Sequence, residues 1–141
     1  MKNPIRWLIP VLFILSCSHE SYQVTEESYE DGTQKLVRYY EDETKAVLEK
    51  ETQYYEDGSK YIEGSYKNGE RHGTWNAWYR DGKLWSTGEY KDGMEHGIKT
   101  VYHENGQKYY EGELTEDKRT GIWTFWNKEG KELKKVDYNT K

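Results

Sequence analysis

Glycine stands at Gly58, Gly82, Gly106 and Gly130, one every 24 residues. Gly64, Gly88 and Gly112 keep the same step, as do Gly73, Gly97 and Gly121. An aromatic column, Tyr54, Trp78, Tyr102 and Trp126, runs with them. A strict period of this length requires stacked supersecondary units, each too small to bury a core alone. It also sorts the residues. One that recurs in every unit belongs to the architecture; one that breaks the period is the better lead to function.

Three full units follow one another, Tyr55–Trp78, Tyr79–Tyr102 and His103–Trp126. Asp-Gly or Asn-Gly opens each, and such a pair recurs inside the first two at Asn68-Gly69 and Asp92-Gly93. These dipeptides tolerate positive φ and favour tight hairpin turns. The runs between them are rich in Tyr, Trp, Thr, Ile and Val, which suit strands. Each unit therefore predicts two strands: Lys60–Tyr66 and Thr74–Tyr79, Leu84–Tyr90 and Ile98–His103, Lys108–Leu114 and Ile122–Asn127. The hydrophobic share is only 33%, and aromatic residues supply 16% of the chain. A thin sheet with rings on its faces accommodates that composition better than a sandwich with a dry core. The expected fold is all-β, an elongated single-layer antiparallel meander of stacked β-hairpins. Glycines of the Gly64 column are expected to let a ring from the neighbouring strand lie over bare backbone.

Gly64, Tyr66, Gly69, Gly73 and Trp75 spell G-x-Y-x-x-G-x-x-x-G-x-W, and Tyr79, Gly82 and Lys83 add a Y-x-x-G-K opening. This pattern resembles the MORN repeat in the variant common in bacterial proteins, and the resemblance runs from Tyr29 to Tyr138. It implies an elongated, twisted array of β-hairpins, and a role in protein–protein contact, dimerisation or lipid association. Two positions depart from it: Asp117 replaces the Gly69-column glycine, and Lys99 replaces the Trp75-column tryptophan. The repeat domain is placed at 29–138, with a degenerate cap at 29–54, a C-terminal cap at 127–138, and a charged insertion near Glu41–Ala46. Polar, atypical end units suit a stack whose edge strands would otherwise aggregate.

The N-terminus reads differently. Lys2 and Arg6 precede a short apolar run from Trp7 to Leu15 that ends at Ser16-Cys17. The run is too short to span a bilayer and fits a secretory signal. Its end resembles the lipobox of bacterial lipoproteins. That resemblance implies a signal peptide at 1–16, a lipid on Cys17, a polar tether at 17–28, and export to the cell envelope, at the outer membrane or cell surface. Cys17 is the only cysteine, so no intrachain disulfide is possible. Loss of residues 1–16 would take the basic count from 21 to 19 against 26 acidic residues. A negative chain with dispersed lysines is not expected to bind nucleic acid, which needs clustered positive charge; membrane contact should come from the anchor.

Catalytic chemistry finds little support. His72 and His96 share a column, but equivalent positions two strands apart lie about 9–10 Å from each other, whereas two zinc ligands each approach the metal to about 2 Å. They read as turn residues before a glycine. Asp57, Asp81 and Asp92 fall in turns, while Glu63, Glu89, Glu111 and Glu113 fall on strands, without the paired carboxylates and pocket of a glycosidase. Ser59, Ser65 and Ser86 have no placed histidine and acid. No catalytic residue, cofactor or metal is predicted. The candidate binding surface is aromatic: Tyr61, Trp85, Tyr109, Trp75 and Trp123, with Lys99. The expected function is a non-enzymatic, lipid-anchored scaffold that binds a protein partner or itself. Two alternatives are a glycan- or peptidoglycan-binding module using the aromatic rows, and an antitoxin-like component of a toxin–antitoxin pair.

Overall fold

The computed structural model describes residues 21–139; the expected signal segment and Cys17 lie outside the described residues. Ten strands form one antiparallel sheet in strict sequence order. They are β1 (Tyr22–Ser28), β2 (Gln34–Tyr40), β3 (Leu48–Tyr54), β4 (Lys60–Lys67), β5 (Glu70–Trp78), β6 (Leu84–Lys91), β7 (Met94–Tyr102), β8 (Lys108–Thr115), β9 (Lys118–Trp126) and β10 (Glu132–Asp137). Each strand pairs only with its chain neighbours, so the described residues form an open single layer, the expected all-β meander.

Two kinds of turn build each unit. In the opening turn, Tyr55 N–H donates to the Ser59 carbonyl at 2.8 Å and Gly58 N–H to Tyr55 at 3.0 Å. The Asp57 carboxylate accepts from Ser59 N–H at 2.9 Å. The Ser59 hydroxyl and then its backbone N–H hold the Asp57 carboxyl below its ordinary range, as turn chemistry requires. The inner turn has two residues, both with positive φ: Asn68 and Gly69 at 54° and 80°, Asp92 and Gly93 at 51° and 81°, Glu116 and Asp117 at 51° and 64°. That is the twist a two-residue hairpin needs. Asp117 therefore keeps the glycine conformation, and its carboxylate accepts from Glu95 N–H of the preceding hairpin at 2.7 Å.

The second strand of each unit starts four residues earlier than expected. It runs through Gly73, Gly97 or Gly121, which sit within β5, β7 and β9 at φ 70°, 99° and 64°. The register slips beside each of these positions, with Gly64 opposite Trp75 but Ser65 opposite His72. A glycine at positive φ is what lets a strand bulge and continue. His72 and His96 are thus strand residues before a bulge, not turn residues.

The expected tether is also corrected. Tyr22–Ser28 is strand β1, laddered to β2 and held by Tyr40 Oη donating to Glu26 at 2.9 Å and Gln34 Nε2 to Thr25 at 2.7 Å. An edge strand needs backbone pairing more than apolar side chains, so a polar sequence does not exclude it. In the cap, Arg38 and Glu51 occupy the cross-strand positions that Gly64 and Trp75 hold in the first unit. Glu51 is buried and bonds Arg38 Nε at 3.1 Å.

Candidate functional site: a cleft over Gly88

One cross-strand row passes through Glu51, Gly64, Trp75, Gly88, Lys99 and Gly112. In the first unit the Trp75 indole covers Gly64 so closely that a Cβ there would fall inside the ring; Trp123 covers Gly112 in the same way. Both indoles are buried, and each Nε1–H donates to a strand carbonyl at 3.1 Å, Trp75 to Ser65 and Trp123 to Glu113. A guanidinium lies over each, Arg71 at 4.0 Å from the Trp75 centroid and Arg119 at 4.4 Å from that of Trp123. Trp75 and Trp123 were expected on a binding surface. They are core instead, because the bare glycine backbone opposite each gives its ring a place to bury.

The middle unit keeps the backbone and changes the plug. Lys99 replaces the indole, and Glu95 replaces the arginine. These two changes answer one another: Lys99 Nζ pairs with Glu95, whose carboxylate also accepts from Tyr90 Oη at 3.3 Å. No ring covers Gly88, and the nearest atom to a Cβ built there is Lys99 Cγ at 3.7 Å. A cleft of about 230 Å3 opens at this point, lined by Gly88, Trp75, Tyr90, Tyr61, Trp85 and the Lys99–Glu95 pair among others.

Tyr61 and Trp85 reach this cleft because of a second set of bulges. Tyr54 pairs with Lys60 and Gln53 with Ile62, leaving Tyr61 as the extra residue; Trp85 and Tyr109 hold the same place on β6 and β8. A bulged residue is re-aimed out of simple alternation. Tyr61 and Trp85 come together with centroids 6.5 Å apart and planes 16° apart. Tyr109 does not join them; it packs on His103 at 4.8 Å and Tyr110 at 5.3 Å. Of the expected site residues, Tyr61, Trp85, Trp75 and Lys99 meet at one place, while Tyr109 and Trp123 belong to the next unit. Sequence reasoning missed Gly88, Tyr90 and Glu95. The signal for Glu95 was present, since Arg71, Glu95 and Arg119 break the period beside Trp75, Lys99 and Trp123.

Many of the other polar side chains bond within the sheet. On the opposite face Thr52, Glu63, Asn76, Thr87, Thr100 and Glu111 form a cross-strand row. The Thr52 and Thr100 hydroxyls donate to Glu63 and Glu111, each at 2.9 Å. Burial alone would raise the Glu63 carboxyl, but hydrogen bonds from Lys50, Lys60 and Thr52 outweigh it and hold it below its ordinary range. The Lys108 hydrogen bond does the same for Glu111, against a smaller burial effect. The residues opening each unit form a clamp: Tyr55 Oη donates to the Trp78 carbonyl at 2.8 Å and Tyr79 Oη to Tyr102 at 2.7 Å. His103 takes the tyrosine place with Nε2 3.1 Å from the Trp126 carbonyl, so that histidine is architecture too. Among the described residues no group of three His, Cys, Asp or Glu side chains could hold a metal ion.

Residues 50–68, 71–92 and 95–115 each match the family profile described as the MORN repeat variant. The matched stretches run from β3 to the end of β8 and leave β9, the second strand of the third unit, outside. No curated protein matches the chain. Among solved structures, the chain is similar to a crystal structure of TarM at 15% identity and a TM-score of 0.36, covering 71% of this chain and 20% of that one. A mutant S. aureus TarM in complex with Fondaparinux, alpha-GlcNAc-glycerol and UDP gives the same identity and TM-score, over 72% of this chain and 21% of that one. The chain thus spans about a fifth of the length of these proteins.

Proposed function

We propose that this chain is a non-enzymatic interaction scaffold, exported and held at the cell envelope by lipid on Cys17, that binds a protein partner through the ring-bearing face of its sheet. The observation that carries the binding reading is the cleft over Gly88. There an otherwise repetitive face leaves aromatic surface and one ion pair open to an incoming group. Enzymatic chemistry has less behind it, because the strand carboxylates Glu63 and Glu111 already bond neighbouring lysines and threonines. The anchor rests on the basic start, the short apolar run and Cys17.

The anchor is tested with Cys17→Ala in a bacterial host. Expected is loss of lipid labelling and release of the protein from the membrane fraction; unchanged processing and fractionation would overturn it. The scaffold reading is tested by crosslinking the full chain in envelope extract. A saturable partner of defined stoichiometry is expected, and its absence under all conditions would remove the reading. A glycan-binding role would appear instead as a saturable response to wall fragments without a protein partner.

A further inference from the structure

We propose that the cleft over Gly88 is a receptor for an aromatic side chain, an indole above all, presented by a protein partner. The inference rests on the scaffold reading in taking the partner to be a protein. The occupant is argued from the molecule itself, because the two flanking units show what this backbone holds. Each has a bare glycine, an indole over it, a strand carbonyl accepting the indole N–H, and aromatic edges around it. Around Trp75 those edges are Tyr66 at 5.5 Å and Tyr90 at 5.8 Å.

The middle unit retains part of this setting without its ring. Tyr90 stands where Tyr66 does beside Trp75, Leu114 takes the place of the second aromatic edge, and Trp75 forms a wall of the cleft. Among the described residues no side chain donates to the Glu89 carbonyl, the counterpart of the acceptors at Ser65 and Glu113. Lys99 is drawn aside to Glu95, the residue in the place of Arg71 and Arg119, so the edge of the cleft carries an ion pair whose ammonium can face a ring placed there.

Gly88 itself makes the strongest point. The chain has 13 glycines. Ten have positive φ, and Gly64 and Gly112 lie under an indole. Gly88 alone has neither constraint, since its φ is ordinary and a Cβ would meet only the Lys99 stem, at 3.7 Å and 4.0 Å. Nothing within the sheet requires glycine there. An inserted ring would require it, for the same reason Trp75 requires Gly64.

The test is titration of the 15N-labelled full chain, in mild detergent, with N-acetyltryptophanamide, followed by the amide shifts of Gly88 and Glu89. A parallel titration uses N-acetylglucosamine. Expected are saturable shifts with the indole probe and none with the sugar. Lys99→Trp should plug the cleft with the chain's own indole and weaken binding by about tenfold or more, with the thermal midpoint kept or raised. Gly88→Ala, an ordinary van der Waals contact in the free protein, should also weaken binding and serves if Lys99→Trp does not fold. No shift with the indole probe, shifts with the sugar alone, or undiminished indole binding in Gly88→Ala would each overturn the proposal. Crosslinking separates the two readings: equal partner capture by wild type and Lys99→Trp sinks the cleft and leaves the scaffold, whereas no partner for either sinks the scaffold.

Discussion

The units at 55–78 and 103–126 are built alike, and the unit between them is not. Positions 48 residues apart match where positions 24 apart do not: Lys60 with Lys108, Glu63 with Glu111, Arg71 with Arg119, Trp75 with Trp123. The middle unit answers with Leu84, Thr87, Glu95 and Lys99. Its glycines, turns and clamp are unchanged, so the backbone follows the short period while these four positions, two on each face, follow the long one. In the flanking units an indole is buried over the glycine; in the middle unit Gly88 is buried too, but beside it lie the half-buried Lys99–Glu95 pair and a cleft. A repeat can thus keep its hairpin and exchange a packed indole for an ion pair beside a cleft by substituting two residues that satisfy each other, here Arg and Trp by Glu and Lys.

The largest expected difference lies at the plugs. Trp123→Ala or Trp75→Ala removes a buried indole, its N–H bond and the ring under a guanidinium, and should cost about 4 kcal/mol by urea unfolding. Lys99→Ala at the matching position should cost under about 1 kcal/mol, because its ion pair is partly exposed. Equal losses at the three positions would mean that Lys99 packs as the indoles do and that the cleft is closed in solution.

The glycine column gives a smaller and sharper contrast. A methyl at Gly64 or Gly112 must displace an indole already tied by its N–H, and should cost about 3 kcal/mol. The same methyl at Gly88 should change stability by less than about 0.5 kcal/mol. A large loss for Gly88→Ala would show that some element of the fold covers this backbone after all.

Much of this was legible in the sequence. Glycine and aromatic columns at one spacing imply hairpins, and hairpins in direct succession imply a meander. Gly64 lying under a ring followed from the need of a thin sheet to bury aromatic area. Two things were not legible, for different reasons. Bulges at Tyr61, Trp85 and Tyr109 shift side chains by one place, and no local composition marks them, so alternation counted from the turns misplaces those rings relative to Glu63 and Glu111. The edge strand Tyr22–Ser28 is held by its backbone ladder, which a polar sequence does not advertise. The Lys99–Glu95 exchange was readable in principle. Each column alone looks like a departure, and only the register on one face shows them to be a pair.

The smallest effect concerns acid. Glu63 and Glu111 carry carboxyls held below the ordinary value of 4.5 in the folded protein, and the matching middle residue is Thr87. A group whose folded pKa is depressed adds stability that is fully present above its unfolded value and is lost as pH falls through the folded one. The flanking units should therefore loosen as pH drops below about 4.5, while the Thr87 position contributes nothing to that slope. Thermal midpoints measured from pH 7 to pH 3 should fall in the wild type and fall less in Glu63→Gln/Glu111→Gln. The double variant should start lower at pH 7, because each glutamine keeps the threonine bond but loses the charge that the lysines meet. An unchanged acid slope would assign the pH dependence to the other carboxylates, such as Asp57 and Asp81 in the opening turns of the first and middle units, whose pKa values are also held low. The third unit has Asn105 in that turn, so the acid response would then separate the first two units from the third and not the flanking units from the middle one.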